Sequence, residues 1–217
     1  MNAPVRAVVW DWNGTLLDDV EASLTTMNTV LQEYDRPALD DADNYRATFG
    51  FPVREFYRRV GFEDEEVFLD ASRRYLELFP VHVADARPTR GADEALRRIA
   101  DHGIRQVLIS ATTQDRLHEQ VGPHDLADHF EDVLGISCGA ENPSKLAVVA
   151  GWLRSSGLDP RDVVMVGDTN HDEQIAEALA VQFIRFSNGH QLAPERTPWP
   201  LAHSLSEVAD RVLSEDV

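Results

Sequence analysis

The sequence of 217 residues contains one cysteine, Cys138, and this scarcity excludes two kinds of site. An internal disulfide needs two cysteines, and zinc sites built on cysteine need several, so we expect neither. Cys138 itself is expected to be a small, partly buried side chain. The sequence also lacks a charged-then-apolar leader and any apolar run of about 18 residues, which predicts a cytoplasmic protein.

Positive charge is equally scarce. The chain has 38 acidic and 20 basic residues, which gives a net charge of −18. This balance argues against nucleic acid and against a membrane surface as partners, because both carry negative charge. Lysine is used only once, at Lys145, whereas the other 19 basic residues are arginine. Because a compact ammonium and a planar guanidinium are not interchangeable, the single lysine is a candidate functional residue.

Short apolar segments alternate with amphipathic ones through most of the chain. At 217 residues, the chain is long enough for one α/β domain and a modest insertion. The alternation indicates right-handed βαβ units around a parallel sheet, so we expect an α/β, Rossmann-like fold with helices on both faces. The predicted strands span residues 7–10, 105–110, 130–136, 163–166 and 181–186. The predicted helices between and after them span residues 92–102, 113–121, 144–155, 172–179 and 206–213.

A helical block interrupts this pattern directly after the first strand. Four helices are predicted at residues 18–35, 40–48, 53–60 and 63–83, and no convincing strand lies among them. We therefore expect two units: an α/β core of residues 1–17 and 86–217, and an all-helical insertion of residues 18–85.

Three predicted strands end in polar residues, namely Asp11, Ser110 and Asp168. The carboxyl ends of parallel strands lie on one edge of the sheet, where such folds bind ligands. Taken alone, Asp11 is better explained as a cap of the next helix. Together with Lys145 and Asp172 nearby, however, the carboxylates suit a hard cation such as Mg²⁺, and the hydroxyl and ammonium suit a phosphoryl group. The residues predict a Mg²⁺-dependent phosphate site with Asp11 as the available nucleophile.

Four segments resemble the motifs of one known superfamily. The stretch from Asp11 to Leu16 is similar to the first motif, Asp-x-Asp-Gly-Thr-Leu, of the haloacid dehalogenase superfamily. Ser110 after an apolar strand resembles the second motif, Lys145 the third, and residues 167–172 (Gly-Asp-Thr-Asn-His-Asp) the acidic fourth motif. On this basis the chain is identified as a member of that superfamily, in its phosphoglycolate-phosphatase-like branch.

The resemblance implies a role for each matching residue. Asp11 would attack phosphorus and carry an aspartyl-phosphate. Mg²⁺ would be held by Asp11, by the main-chain carbonyl of Asn13 and by Asp168, with Asp172 tuning the site. Substrate would be bound by the residues that surround the phosphoryl group: Ser110, Ala111, Lys145 and the main chain after Asp11, at Trp12. Residues 18–85 would be a cap that closes over the substrate.

Two residues outside the motifs are weaker candidates. Arg54, in the expected cap, is nominated as the cation that binds the rest of the substrate, although an exposed helix arginine explains it equally well. His190 follows a predicted strand and could reach the rim of the expected site, but the sequence assigns it no role.

Asn13 departs from the family pattern. The superfamily has an acid–base aspartate there, and an amide cannot exchange a proton at neutral pH. Losing such a group costs about 10²–10⁴-fold in rate. Three explanations remain open: a leaving group that needs no proton, a substitute such as His171, or a protein that binds ligand and turns it over little.

The sequence thus predicts a Mg²⁺-dependent phosphatase for a small phosphorylated metabolite, slow or restricted in substrate because of Asn13. The alternative is a regulatory protein that binds a phosphorylated ligand. Both a monomer and a homodimer are compatible with the sequence.

Overall fold

The computed structural model of the chain describes residues 4–137 and 144–214, and Cys138 lies outside the described residues. The strands are β1 Ala7–Trp10, β2 Leu17–Asp18, β3 Arg87–Pro88, β4 Arg105–Thr113, β5 Asp132–Ile136, β6 Val163–Gly167, β7 Gln182–Phe186 and β8 Leu201–Ala202. The helices are α1 Val20–Glu33, α2 Ala42–Thr48, α3 Val53–Arg59, α4 Glu65–His82, α5 Ala92–Asp101, α6 Gln114–Val121, α7 Lys145–Ser156, α8 Asn170–Leu179 and α9 Leu205–Leu213.

Six strands form one sheet in the order β5-β4-β1-β6-β7-β8, and every neighbouring pair is parallel. The expected α/β fold with a parallel sheet is therefore confirmed. β1 lies between β4 and β6, which places the residue after it in the middle of the sheet edge where ligands bind in such folds.

The uninterrupted apolar sequence of β1 is explained by burial on both faces of the sheet. Val8 and Trp10 pack with α5 and α9 residues on one face, and Ala7 and Val9 pack with α7 and α8 residues on the other. All four side chains are fully buried. A strand covered on both faces has no polar alternation, which is why the sequence signal was a continuous run.

The sequence-based prediction differs from the structure in two places that matter for the site. β4 was expected to end at Ser110 but continues to Thr113, with a register shift against β5 after Ile109. In addition, β2 and β3 form a two-stranded antiparallel ribbon where the helical block leaves and rejoins the α/β part. Strands of two residues leave no periodic pattern in the sequence, so this ribbon was not predicted.

Helices α1–α4 form an insertion with its own hydrophobic cluster, which includes Met27, Tyr45, Phe56 and Phe62. This agrees with the expected helical block, while the domain boundaries at residues 17–18 and 85–86 stay a prediction. Among the described residues, no helix is both long and apolar enough to cross a membrane. The cytoplasmic location also stays a prediction.

Candidate active site

Three aspartates meet at the carboxyl edge of the sheet. Asp11 follows β1, Asp168 follows β6, and Asp172 lies in the first turn of α8. One carboxylate oxygen from each lies within 4.8 Å of the others, and all three side chains are buried. The structure therefore brings together the acidic residues that the sequence assigned to the metal site.

Among the described residues, Lys145 is the basic side chain that forms ion pairs with these carboxylates. It is the first residue of α7, whose N-terminus is capped by Ser144. The ammonium donates to Asp11 Oδ1 and, at 2.6 Å, to Asp172 Oδ1, and its side chain is almost fully buried. Burial disfavours the ammonium, but the two carboxylates outweigh it and raise the pKa of Lys145 above its ordinary value. Lys145 therefore carries a positive charge in a buried position, which only anionic neighbours make tolerable.

One ammonium does not balance three carboxylates. Burial raises the pKa of Asp11 and Asp168, and repulsion from Asp172 adds to it in both cases. Burial also opposes ionisation of Asp172, yet Lys145 and the hydrogen bonds from Thr169 hold the pKa of Asp172 below its ordinary value. This excess of negative charge on buried oxygen ligands fits a divalent hard cation. Asp11, Asp168 and Asp172 are the side chains that would hold it.

The turn after Asp11 needs glycine and leaves main-chain donors free. Gly14 has φ +75°, and a Cβ there would lie 2.5 Å from Asp168 Oδ2. Among the described residues, neither the Trp12 nor the Asn13 main-chain N–H donates a hydrogen bond. The Trp12 side chain itself is buried in the sheet's hydrophobic cluster. Any contact of Trp12 with a ligand must therefore come from its main chain.

Asn13 is held by three polar neighbours. Its Nδ2 donates to Asp19 Oδ2 at 2.8 Å and to Gln120 Oε1 at 3.4 Å, and its Oδ1 accepts from Thr112 Oγ1 at 2.9 Å. Asp19 also accepts from the Gly14 main-chain N–H at 2.7 Å. The amide at position 13 thus lies against a buried carboxylate that belongs to none of the four motifs.

His190 completes this polar group. Its Nε2 is 3.0 Å from Asp19 Oδ1, its Nδ1 is 3.1 Å from the Tyr45 hydroxyl, and its main-chain N–H donates to Asp168 Oδ2 at 2.5 Å. Burial opposes protonation, but Asp19 and, more weakly, Asp168 and Asp11 raise the pKa of His190 to about 9. His190 is therefore protonated at neutral pH and forms an ion pair with Asp19.

Of the remaining predicted site residues, some line the cavity and one does not. Ser110 and Ala111 line the same cavity as Asp11, and Ser110 Oγ accepts from the Thr112 main-chain N–H at 3.1 Å. Arg54 does not reach that cavity: its guanidinium donates to the main-chain oxygens of Phe62 and Glu63. His171 lines the cavity, and burial lowers its pKa.

The cavity has a volume of about 680 Å³ and lies between the three aspartates and the helical insertion. Polar contacts hold the insertion against the α/β part. The Asn170 side chain exchanges two hydrogen bonds with the Phe51 main chain, at 3.0 and 2.9 Å. Arg46 Nε donates to the Gly189 main-chain oxygen at 3.0 Å. The structure therefore has the insertion closed over the carboxylates.

Asp19 and the full role of His190 were missed by sequence reasoning. Asp19 precedes α1, and a polar residue before a predicted helix is normally explained as a cap, although its side chain caps nothing here. The available signal was the second of two consecutive aspartates, Asp18-Asp19, at the boundary of the helical block. His190 follows Asn188-Gly189, a turn pattern that gives no direction for the side chain.

Comparison with known proteins identifies the family of the chain. Residues 8–186 match the family described as haloacid dehalogenase-like hydrolase. A phosphoglycolate phosphatase of Nitrosospira multiformis is 26% identical over 81% of this chain and 80% of its own. A probable phosphatase, IndB, of Dickeya dadantii is 26% identical over 82% of this chain and 79% of its own.

Solved structures show the same fold. The crystal structure of a predicted phosphatase of Clostridium acetobutylicum has a TM-score of 0.82 at 20% identity and covers 97% of this chain and 99% of its own. A haloacid dehalogenase-like hydrolase of Streptococcus pneumoniae has a TM-score of 0.80 at 18% identity, with 95% and 97% covered. The chain belongs to the haloacid dehalogenase-like hydrolase family, in the branch that resembles phosphoglycolate phosphatases.

Proposed function

We propose that the protein is a Mg²⁺-dependent phosphatase that hydrolyses a small phosphorylated metabolite, with Asp11 as nucleophile. The observation that carries the proposal is the buried Asp11 carboxylate next to Lys145, Asp168 and Asp172 at the floor of a cavity of about 680 Å³. The curated relatives are phosphatases by name, which supports the same reaction class.

The proposed chemistry has two steps. An Asp11 oxygen forms a bond to phosphorus while the ester P–O bond breaks, and the departing alcohol oxygen takes up a proton. Water then attacks the phosphorus of the aspartyl-phosphate, loses a proton to a base, and releases Asp11 and inorganic phosphate. Lys145, Ser110 and the free Trp12 and Asn13 N–H groups bind the phosphoryl oxygens. Mg²⁺ held by Asp11, Asp168, Asp172 and the Asn13 carbonyl would supply further positive charge.

Both steps move a proton that Asn13 cannot carry. We assign this proton to Asp19, because its carboxylate is 2.8 Å from Asn13 Nδ2 and lines the same cavity as Asp11. In the first step Asp19 passes on the proton of the His190 ring, which is 3.0 Å away, and in the second step it returns the proton of the attacking water to that ring. The ion pair with His190 fixes the orientation of the Asp19 carboxylate. His171 is the weaker candidate because its ring stacks on Phe51, with the centroids 4.7 Å apart.

The test is steady-state hydrolysis of a phosphomonoester in Mg²⁺ and in EDTA. Asp11→Asn and EDTA should each abolish turnover. Asp19→Asn should lower kcat by about 10²–10⁴-fold, the cost of losing one acid–base group, whereas Asp18→Asn, in the neighbouring exposed residue, should change it little. The double variant Asn13→Asp/Asp19→Asn should recover much of the loss. Intact mass must exclude deamidation of the Asn13-Gly14 pair.

A phosphate-binding protein without turnover remains the alternative, and Asn13 is the residue that favours it. Mg²⁺-dependent binding of a phosphate analogue, with no hydrolysis by the wild type and a gain of activity in Asn13→Asp, would select this alternative. An active wild type whose rate is unaffected by Asp19→Asn would refute the assignment of the proton to Asp19.

A further inference from the structure

The cavity above the aspartates has two unlike ends. Its floor carries the charged groups that suit a phosphoryl group, including Asp11 and Lys145. Its roof comes from the helical insertion and is built of aromatic rings: Tyr45, Phe49, Phe51, Phe56, Tyr57, Tyr75 and Phe79. Several of these rings pack edge to face, such as Phe49 on Phe56 with centroids 5.1 Å apart, so the roof is a continuous apolar surface.

Among the described residues, helices α1–α4 contribute no charged side chain to this roof; Asp19, which precedes α1, lines the cavity next to Asn13. The insertion contains seven arginines between residues 20 and 85, and none of them lines the cavity. The Arg54 guanidinium donates to the Phe62 and Glu63 carbonyl oxygens, and the Arg59 guanidinium donates to the Thr48 carbonyl oxygen. A carboxylate pressed against the roof would lose its water without gaining a partner, which is unfavourable.

The hydroxyl groups of the roof add no charge to it. Burial raises the pKa of Tyr57 to about 12 and raises the pKa of Tyr45 and Tyr75 as well, so all three phenols are neutral. Neutral phenols present ring faces and single hydroxyl groups, which suit an uncharged aromatic ligand with few polar atoms.

The size of the cavity also favours a ligand larger than a two-carbon acid. A volume of about 680 Å³ lies well inside the range of sites that bind drug-sized molecules. A phosphorylated two-carbon acid would occupy the floor and leave the partly exposed rings of the roof, Phe49, Phe51, Tyr75 and Phe79, in contact with water. A larger apolar alcohol would cover the roof and gain the free energy of burying both surfaces.

We infer that the substrate is a phosphate monoester of a bulky, uncharged alcohol with an aromatic or similarly apolar group, rather than a small phosphorylated acid. The inference rests on the proposed phosphatase function and names the substrate class of that site. Besides Lys145, two positively charged residues of the described α/β part line the cavity, Arg116 of α6 and His190. His190 is paired with Asp19, so the exposed Arg116 is the competing source of recognition and would favour an anionic substrate.

The test compares hydrolysis of benzyl phosphate with that of 2-phosphoglycolate. Both esters release an unactivated alkoxide, and they differ mainly in that the first carries a phenyl ring where the second carries a carboxylate. We expect kcat/KM to be at least about a hundredfold higher for benzyl phosphate, because a single methylene already discriminates by about 10–200-fold. Equal values, or a preference for 2-phosphoglycolate that Arg116→Met abolishes, would overturn the inference.

A matched pair of variants tests whether the roof contacts the substrate. Leu76 and Leu69 both lie on α4 and are 63% and 52% exposed, but only Leu76 lines the cavity. Leu76→Arg should lower kcat/KM for benzyl phosphate about tenfold and raise it for 2-phosphoglycolate, whereas Leu69→Arg should change neither. An unchanged substrate ratio in Leu76→Arg would show that the roof does not contact the substrate.

Binding of non-hydrolysable analogues separates this inference from the proposed function. Calorimetry with Mg²⁺ should find tighter binding for benzylphosphonate than for phosphonoacetate, whether or not the protein turns over an ester. Absence of hydrolysis with this order of binding would refute the phosphatase and keep the ligand class. The reverse order of binding would refute the ligand class.

Discussion

Replacing Lys145 with methionine tests the electrostatic account of the site most directly. Methionine keeps most of the length of the lysine side chain and removes its charge. The change leaves Asp11, Asp168 and Asp172 buried within 4.8 Å of one another without the ammonium that pairs with two of them. Removing one partner from a buried ion pair costs about 3–5 kcal/mol, because the remaining charge is left uncompensated.

The expected loss is large on the scale of the whole fold. For a chain of this size, 3–5 kcal/mol corresponds to roughly 6–20 °C in the midpoint of thermal unfolding. The assay is urea and thermal unfolding of the metal-free protein in EDTA, followed by the same measurement in Mg²⁺. A divalent cation at the carboxylates replaces the lost charge, so Mg²⁺ should stabilise Lys145→Met more than it stabilises the wild type.

Arg74→Met is the matched control. Arg74 also pairs with two carboxylates, Glu33 and Glu77, but its side chain is 39% exposed. Water and salt screen such a pair, so its loss should be far smaller than that of Lys145→Met and insensitive to Mg²⁺. Equal destabilisation in the two variants, or a Lys145→Met protein as stable as the wild type in EDTA, would refute the view that Lys145 neutralises a buried anionic cluster.

Two further predictions concern the groups around the cluster. Because the pKa of His190 is raised from 6.5 to about 9, its ion pair with Asp19 stabilises the fold fully below pH 6.5 and is lost as the pH rises through 9. The stability advantage of the metal-free wild type over His190→Gln should therefore be roughly 3 kcal/mol at pH 6 and vanish by about pH 10, and a gap that is constant with pH would contradict this. Asn170→Ala removes two hydrogen bonds to Phe51 that hold the insertion closed. At about 1 kcal/mol each, their loss should raise KM by roughly tenfold or more and speed proteolysis at the insertion boundary, whereas an unchanged KM would mean that closure does not depend on them.

The elements that sequence reasoning located well are those whose signal is local. β1 and β6 are continuous apolar runs that end in Asp11 and in Gly167-Asp168, and burial on both faces of a parallel sheet explains such runs. The meeting of Asp11 and Asp168 then followed from topology, because parallel strands end on the same edge.

The features that were missed depend on partners distant in the chain. The extension of β4 beyond Ser110 is set by its pairing with β5, and the β2–β3 ribbon joins segments about 70 residues apart. Arg54 illustrates the same limit. The family resemblance placed Arg54 in the expected cap, but the sequence did not show that its guanidinium would donate to the Phe62 and Glu63 carbonyl oxygens and not reach the cavity.

Asn13 and Asp19 show how a motif-based interpretation can misjudge a site. Read alone, Asn13 is the loss of a carboxylate from the family pattern, and the natural conclusion is a weakened enzyme. In the fold, Asn13 Nδ2 and Asp19 Oδ2 are 2.8 Å apart, so an amide and a carboxylate occupy adjacent positions within one hydrogen-bonded group. The amide supplies a donor that an ionised aspartate at position 13 would lack, and two carboxylates at this distance would repel each other. A carboxylate just before α1 therefore lies next to the position where the motif has lost one, and the cavity that Asp11 lines keeps this second acidic side chain despite the departure at position 13.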